Sequence, residues 1–132
     1  MTNEERIELL RAVAECAPKA GFEVWNGGQF LANTNHNECL LLIGAGGRGR
    51  SYSLSLDYIE NDAIACFAML KAMEKAGKDW ILSTHVEDGV RRYCVWEDWD
   101  DNYPAISGAT SKAEAIARAF VSVFQKQESP QP

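Results

Sequence analysis

Four glycines and two arginines crowd one short stretch, Gly44-Ala45-Gly46-Gly47-Arg48-Gly49-Arg50. Glycine lets a backbone approach a ligand closely, and a guanidinium offers a planar fork to phosphate or carboxylate. Gly46, Gly47, Arg48 and Arg50 are therefore candidate anion-binding residues, with Tyr52 just beyond them as a surface for stacking. Residues 44–49 also match the spacing G-x-G-x-x-G. The dinucleotide fingerprint, however, needs a helix to open directly after the glycines, whereas Ser51 to Leu56 reads as a strand. The plain alternative is a flexible hairpin with solvated arginines.

Two other groups could carry chemistry. His85 falls on the polar face of a strand, close to Arg91, Arg92 and Tyr93 across a hairpin. As a general base it would need a nucleophile and an orienting carboxylate, whose adjacency sequence does not give, so a structural strand histidine is the simpler reading. His36 and His85 are the only histidines, they are not at i,i+4 spacing, and no carboxylate pattern completes a ligand set. No metal and no cofactor is expected. Arg91 and Arg92 point to opposite faces, so one can serve a ligand while the other is solvated or paired with nearby acids. The segment from Tyr93 to Tyr103 interleaves aromatic and acidic residues. Alternation assigns Trp96 to the core. Trp99 and Tyr103 fall in a loop, where they could stack on a base or anchor a protein partner. The acids Glu97, Asp98, Asp100 and Asp101 lack the glycine and distal glutamate of a calcium loop.

The elements that must position these residues come from a chain of 132 residues with formal net charge −6. That length suits a single domain over 1–127 with a frayed tail at 128–132. The acidic balance argues against general nucleic-acid binding. No apolar run approaches the ~20 residues that span a bilayer, and Met1 to Glu5 lacks the basic and apolar regions of a signal peptide. A cytoplasmic protein with no membrane partner is expected. Cys16, Cys39, Cys66 and Cys94 are widely spaced in apolar surroundings and read as buried thiols rather than disulfides or zinc ligands.

Periodicity predicts an α+β fold in the order α-β-β-α-β-β-α, an antiparallel sheet layered with helices. Thr2 and Glu5 form a capping box for a helix over 3–19, ended by Pro18 and Gly21. Short strands over 22–25 and 29–32 flank an Asn26-Gly27-Gly28 turn. Glu38 to Ile43 and the alternating Ser51 to Leu56 form a hairpin around the glycine run. A second helix spans 57–76, with Ile59, Ala63, Cys66, Phe67, Leu70 and Met73 as its apolar stripe. Strands over 80–86 and 90–97 pair across Glu87-Asp88-Gly89, and Ser111 with Glu114 caps a third helix. Helices two and three are expected to share one sheet.

The stretch Arg50 to Asp57, the Ala-rich Ala63 to Met73, the two strands after it and Ala113-Glu114-Ala115-Ile116-Ala117-Arg118-Ala119-Phe120 together resemble the phage ABA sandwich domain over residues 50–124. The resemblance implies a bacteriophage origin, an α/β/α layered fold and the cytoplasm of a bacterial host, but no common activity. The helix and glycine-arginine hairpin of the N-terminal third look like additions. Small phage proteins of such folds include inhibitors that sequester nucleotide immune signals. The leading expectation is thus a non-enzymatic, homo-oligomeric binder of a nucleotide-like anion that counteracts bacterial defence. Its alternative is a protein–protein inhibitor that docks an acidic aromatic loop, residues 97–103, on a host protein. A phosphodiesterase would be expected to show a histidine pair or metal carboxylates, which the chain lacks.

Overall fold

A computed structural model describes residues 2–32, 38–44, 50–56, 59–77, 79–96 and 106–125. Helix α1 (Asn3–Cys16) opens on the expected cap, with the Glu5 N–H donating to Thr2 Oγ1 at 3.1 Å. It tightens into a 3-10 turn over Ala17–Ala20, where Pro18 enters, and stops at Gly21, whose φ of 89° favours glycine. Strand β1 (Glu23–Val24), β2 (Leu31–Ala32), β3 (Glu38–Ile43) and β4 (Ser51–Leu54) then make a four-stranded antiparallel sheet. Strands β1 and β4 both pair with Leu42 and Ile43, so they hold opposite edges of β3. Glu23 faces Ile43 and, eight residues on, Leu31 faces Cys39, only four residues along β3. The slack is taken up by the turn Trp25–Gly28, where Asn26 and Gly27 adopt left-handed conformations.

Helix α2 (Ile59–Lys75) packs on β4, and strands β5 (Ile81–Glu87), β6 (Val90–Trp96) and β7 (Ile106–Ala109) form a second antiparallel sheet in that order. The β5–β6 hairpin closes on the two residues Asp88 and Gly89, at φ 52° and 77°, as an Asp-Gly step favours. Helix α3 (Lys112–Gln125) packs against α1, α2, β6 and β7. It is buried nearly all round through Ala113, Ala115, Ile116, Ala117, Ala119, Phe120, Val123 and Phe124, and its alanines let neighbouring backbones come close. The α+β class and the helix and hairpin order agree with the sequence, while the single sheet expected is divided: α2 lies on the first sheet and α3 on the second. Strand β7 is an addition to the expected order, and its Ile-Ser-Gly-Ala sequence carries no alternation that would mark it.

Three assignments shift with the packing. On α2 the buried face is Asp62, Ala65, Cys66, Met69, Ala72 and Met73; Leu70 is half-buried, Ala63 is exposed and Phe67 is 62% exposed. On β6 the residue in the core is Val95, whereas Trp96 lies on the other face and donates its indole N–H to Ser83 Oγ at 3.0 Å. Strand β4 stops at Leu54, and Leu56, although buried, has a left-handed φ of 66°. No helix among the described residues is long and apolar enough to cross a membrane. All four cysteines are buried free thiols.

The second capping box gives a pH-dependent contribution to stability. Ser111 Oγ accepts from the Glu114 N–H at 3.0 Å, and the Glu114 carboxylate takes the Thr110 hydroxyl at 2.7 Å, the Thr110 N–H at 3.1 Å and Arg118 Nε at 2.8 Å. Burial alone would raise this carboxyl, but the Arg118 and Thr110 contacts outweigh it and hold Glu114 below its ordinary value of 4.5. A folded value below the unfolded one stabilises fully above the unfolded value and is lost as pH falls through the lowered one. Glu114→Gln is therefore expected to lower the urea midpoint at neutral pH, and the difference from wild type to shrink as pH falls and the Glu114 carboxyl takes up its proton. An equal midpoint at neutral pH would contradict the assignment.

Candidate functional site

The β3–β4 hairpin and one face of α2 enclose a groove of about 310 Å³. The hairpin side is set by backbone pairing: the Gly44 N–H donates to the Arg50 carbonyl at 3.2 Å, and Leu42 faces Tyr52. Alternation along β4 then sends Tyr52 toward the core, where its ring meets Phe22 edge-on at 6.3 Å and 86°. Phe22 is anchored in turn by Phe120 of α3, at 6.3 Å. The floor of the groove near Gly21 and Phe22 is thus fixed by the core. Arg50, at the mouth, is exposed.

The opposite wall is a helical stripe: Ile64, Phe67, Ala68, Lys71, Ala72 and Lys75 recur at three- and four-residue spacing and all line the groove. Ile64 is 66% exposed and Phe67 62%. Large apolar side chains this open, one turn apart, present a surface suited to a flat or apolar group. Lys71 Nζ lies 5.3 Å from the centre of the Phe67 ring, within cation–π range, so the charge and the ring face share one location.

Three cations, Arg50, Lys71 and Lys75, thus converge with Tyr52, Phe67 and Ile64, and no carboxylate lines the groove among the described residues. On a chain of net charge −6 this is a local reversal of sign. Neither histidine nor cysteine lines it among the described residues, and its walls offer positive charge, hydrogen-bond donors and apolar contact. Such a set can hold an anion.

Of the residues expected from sequence to bind a ligand, Arg50 and Tyr52 are brought together here. Gly46, Gly47, Arg48, Trp99 and Tyr103 lie outside the described residues, as does the acidic aromatic loop. His85, Arg91 and Arg92 sit on the β5–β6 hairpin and do not line the groove. The two arginines do point to opposite faces: Arg91 Nη1 donates to Thr84 Oγ1 at 3.1 Å, whereas Arg92 pairs in register with His85. Sequence reading missed Lys71 and Lys75, and took Phe67 as core. The i,i+4 lysines following Phe67 on the same helical face were the signal available.

A larger groove, about 570 Å³, runs between α1 and α3. Glu5 and Glu8 line it, and its cation, Arg118, is held by Glu114 at 2.8 Å. It brings no set of cations together among the described residues. No family model, no curated protein and no solved structure matches the chain.

Proposed function

We propose that the chain is a binding protein, without enzymatic activity, for a phosphate-bearing, nucleotide-like anion. The observation that carries this reading is the convergence of Arg50, Lys71 and Lys75 with Tyr52 and Phe67 around one groove free of carboxylates among the described residues. The cations match phosphate oxygens, Arg50 through a planar fork and the lysines as point charges. The exposed Phe67 ring and Ile64 match the flat, less polar base. A volume near 310 Å³ sits at the lower end of small-molecule sites, which suits a single nucleotide unit. The setting implied by the resemblance to phage ABA sandwich domains goes with this reading: a phage protein that holds a host nucleotide signal out of circulation.

The test is a depletion experiment. The purified protein is mixed with a panel of nucleoside mono- and diphosphates, the free fraction is measured after filtration, and the retained fraction is heated and analysed. Binding without chemistry predicts that a subset is removed from the filtrate and returned intact on heating. Release of a hydrolysed product would show an enzyme, and an undepleted panel would remove the reading.

A further inference from the structure

On the outer face of the β5–β6 hairpin, away from the groove, Cys94 Sγ lies 3.9 Å from Nδ1 of His85. The other nitrogen of that ring, Nε2, lies 3.5 Å from Oε2 of Glu87. The hairpin register builds this arrangement: His85 and Glu87 are two apart on β5 and share a face, while Cys94 pairs with Ser83 and so sits diagonal to His85 on the same face. Thiol, imidazole and carboxylate stand in the sequence of contacts that activates a sulfur nucleophile. Arg92 pairs in register with His85, so Glu87 and Arg92 are the charged residues that share this face of the hairpin among the described residues. The His85 and Glu87 side chains are 49% and 65% exposed, whereas Cys94 is only 6% exposed.

We propose that Cys94 is an activated thiol and that this face is a modification site, taking up a small disulfide-bearing molecule by thiol–disulfide exchange. Glu87 accepts the Nε2 proton of His85, which fixes the tautomer whose Nδ1 receives the proton of the Cys94 thiol. The resulting thiolate attacks one sulfur of a disulfide RS–SR. A bond forms between Cys94 and that sulfur as the RS–SR bond breaks, and the departing thiolate takes the proton held on His85. The products are a mixed disulfide on Cys94 and one thiol RSH, so the small disulfide is the oxidant. At 6% exposure Cys94 is closed to a protein disulfide, which limits the reactant to a small one. Arg92, on the same face in register with His85, favours an R group that carries a carboxylate.

The remaining thiols make an internal control. Burial raises Cys16 and Cys39 above their ordinary value and pushes Cys66 up to about 12, which leaves them little thiolate at neutral pH. The reduced, folded protein is incubated with oxidised glutathione, and the mixed disulfide at each cysteine is followed by peptide mass spectrometry. Cys94 is expected to react at least about tenfold faster than the other three, His85→Gln to slow it about tenfold, and Glu87→Gln to slow it less. Cystamine, a small disulfide with ammonium groups in place of carboxylates, is expected to react more slowly than oxidised glutathione, and Arg92→Ala to narrow that difference. A wild-type Cys94 no faster than Cys39 would overturn the proposal, whatever the variants do. An unchanged Cys94 rate in folded His85→Gln would overturn it equally.

Discussion

Asp62→Ala is expected to destabilise the fold by about 3–5 kcal/mol, a large part of the stability of a single domain. The Asp62 side chain is 1% exposed on the inner face of α2. Its carboxylate accepts the Ser55 N–H at 2.8 Å, the Leu56 N–H at 2.9 Å and the Ser55 hydroxyl at 3.3 Å. Those N–H groups belong to the chain leaving β4, where Leu56 takes its left-handed φ of 66°. Arg6 of α1, itself buried, donates from Nη1 to the Ser55 carbonyl at 3.0 Å and is steadied by Asn3 at 2.9 Å and 3.2 Å. One carboxylate therefore ties α2 to the end of β4 at a point that α1 also grips. Alanine would leave buried donors without that acceptor, at about 1–3 kcal/mol each, whereas Asp62→Asn retains one acceptor oxygen and is expected to cost less. Urea denaturation reads both, and an unchanged midpoint for Asp62→Ala would contradict the account. Because β4 carries Tyr52, with Arg50 just before it, and α2 carries Phe67, Lys71 and Lys75, the same contact sets the spacing of the groove walls.

The second large effect belongs to the groove. Removing all three cations as Arg50→Ala, Lys71→Ala and Lys75→Ala is expected to weaken nucleotide binding by a hundredfold or more, since charge-assisted hydrogen bonds contribute about 1.5–3 kcal/mol each. These side chains are exposed, so the melting temperature should barely move. Arg50→Lys is the sharper companion, because a bidentate phosphate contact loses its planar fork while the charge is kept. Arg91→Ala, on the other sheet, should bind as wild type does. Full binding by the triple variant would assign the ligand elsewhere.

The parts of the fold legible in the sequence are those fixed by local chemistry. Thr2 with Glu5 and Ser111 with Glu114 mark helix starts through side chains that satisfy unpaired N–H groups, and Asp88-Gly89 marks a turn through its left-handed backbone. Helix α2 was harder to phase because Ala63 to Leu70 is apolar at every position, so a 3.6-residue period has no contrast to act on. Its true rotation follows from Asp62, a carboxylate that the core accepts because β4 presents it with donors. That dependence is tertiary. The error in phase hid half the groove: Arg50 and Tyr52 could be named from the glycine run and the alternation of β4, but Phe67, Lys71 and Lys75 face them only once α2 is turned correctly. The Cys94–His85 contact, by contrast, was within reach, since a two-residue turn at Asp88-Gly89 fixes Ser83 opposite Cys94.

Calorimetric titration of the wild-type protein with a nucleoside diphosphate, its parent nucleoside and inorganic phosphate, at low and at high salt, tests the central claim most directly. A groove that joins three cations to an aromatic wall predicts one diphosphate site per chain, weaker binding of either fragment alone, and an affinity that falls as salt screens the charges. No measurable heat with any of the three ligands at millimolar concentration, or binding of the nucleoside as tight as that of the diphosphate and indifferent to salt, would contradict it.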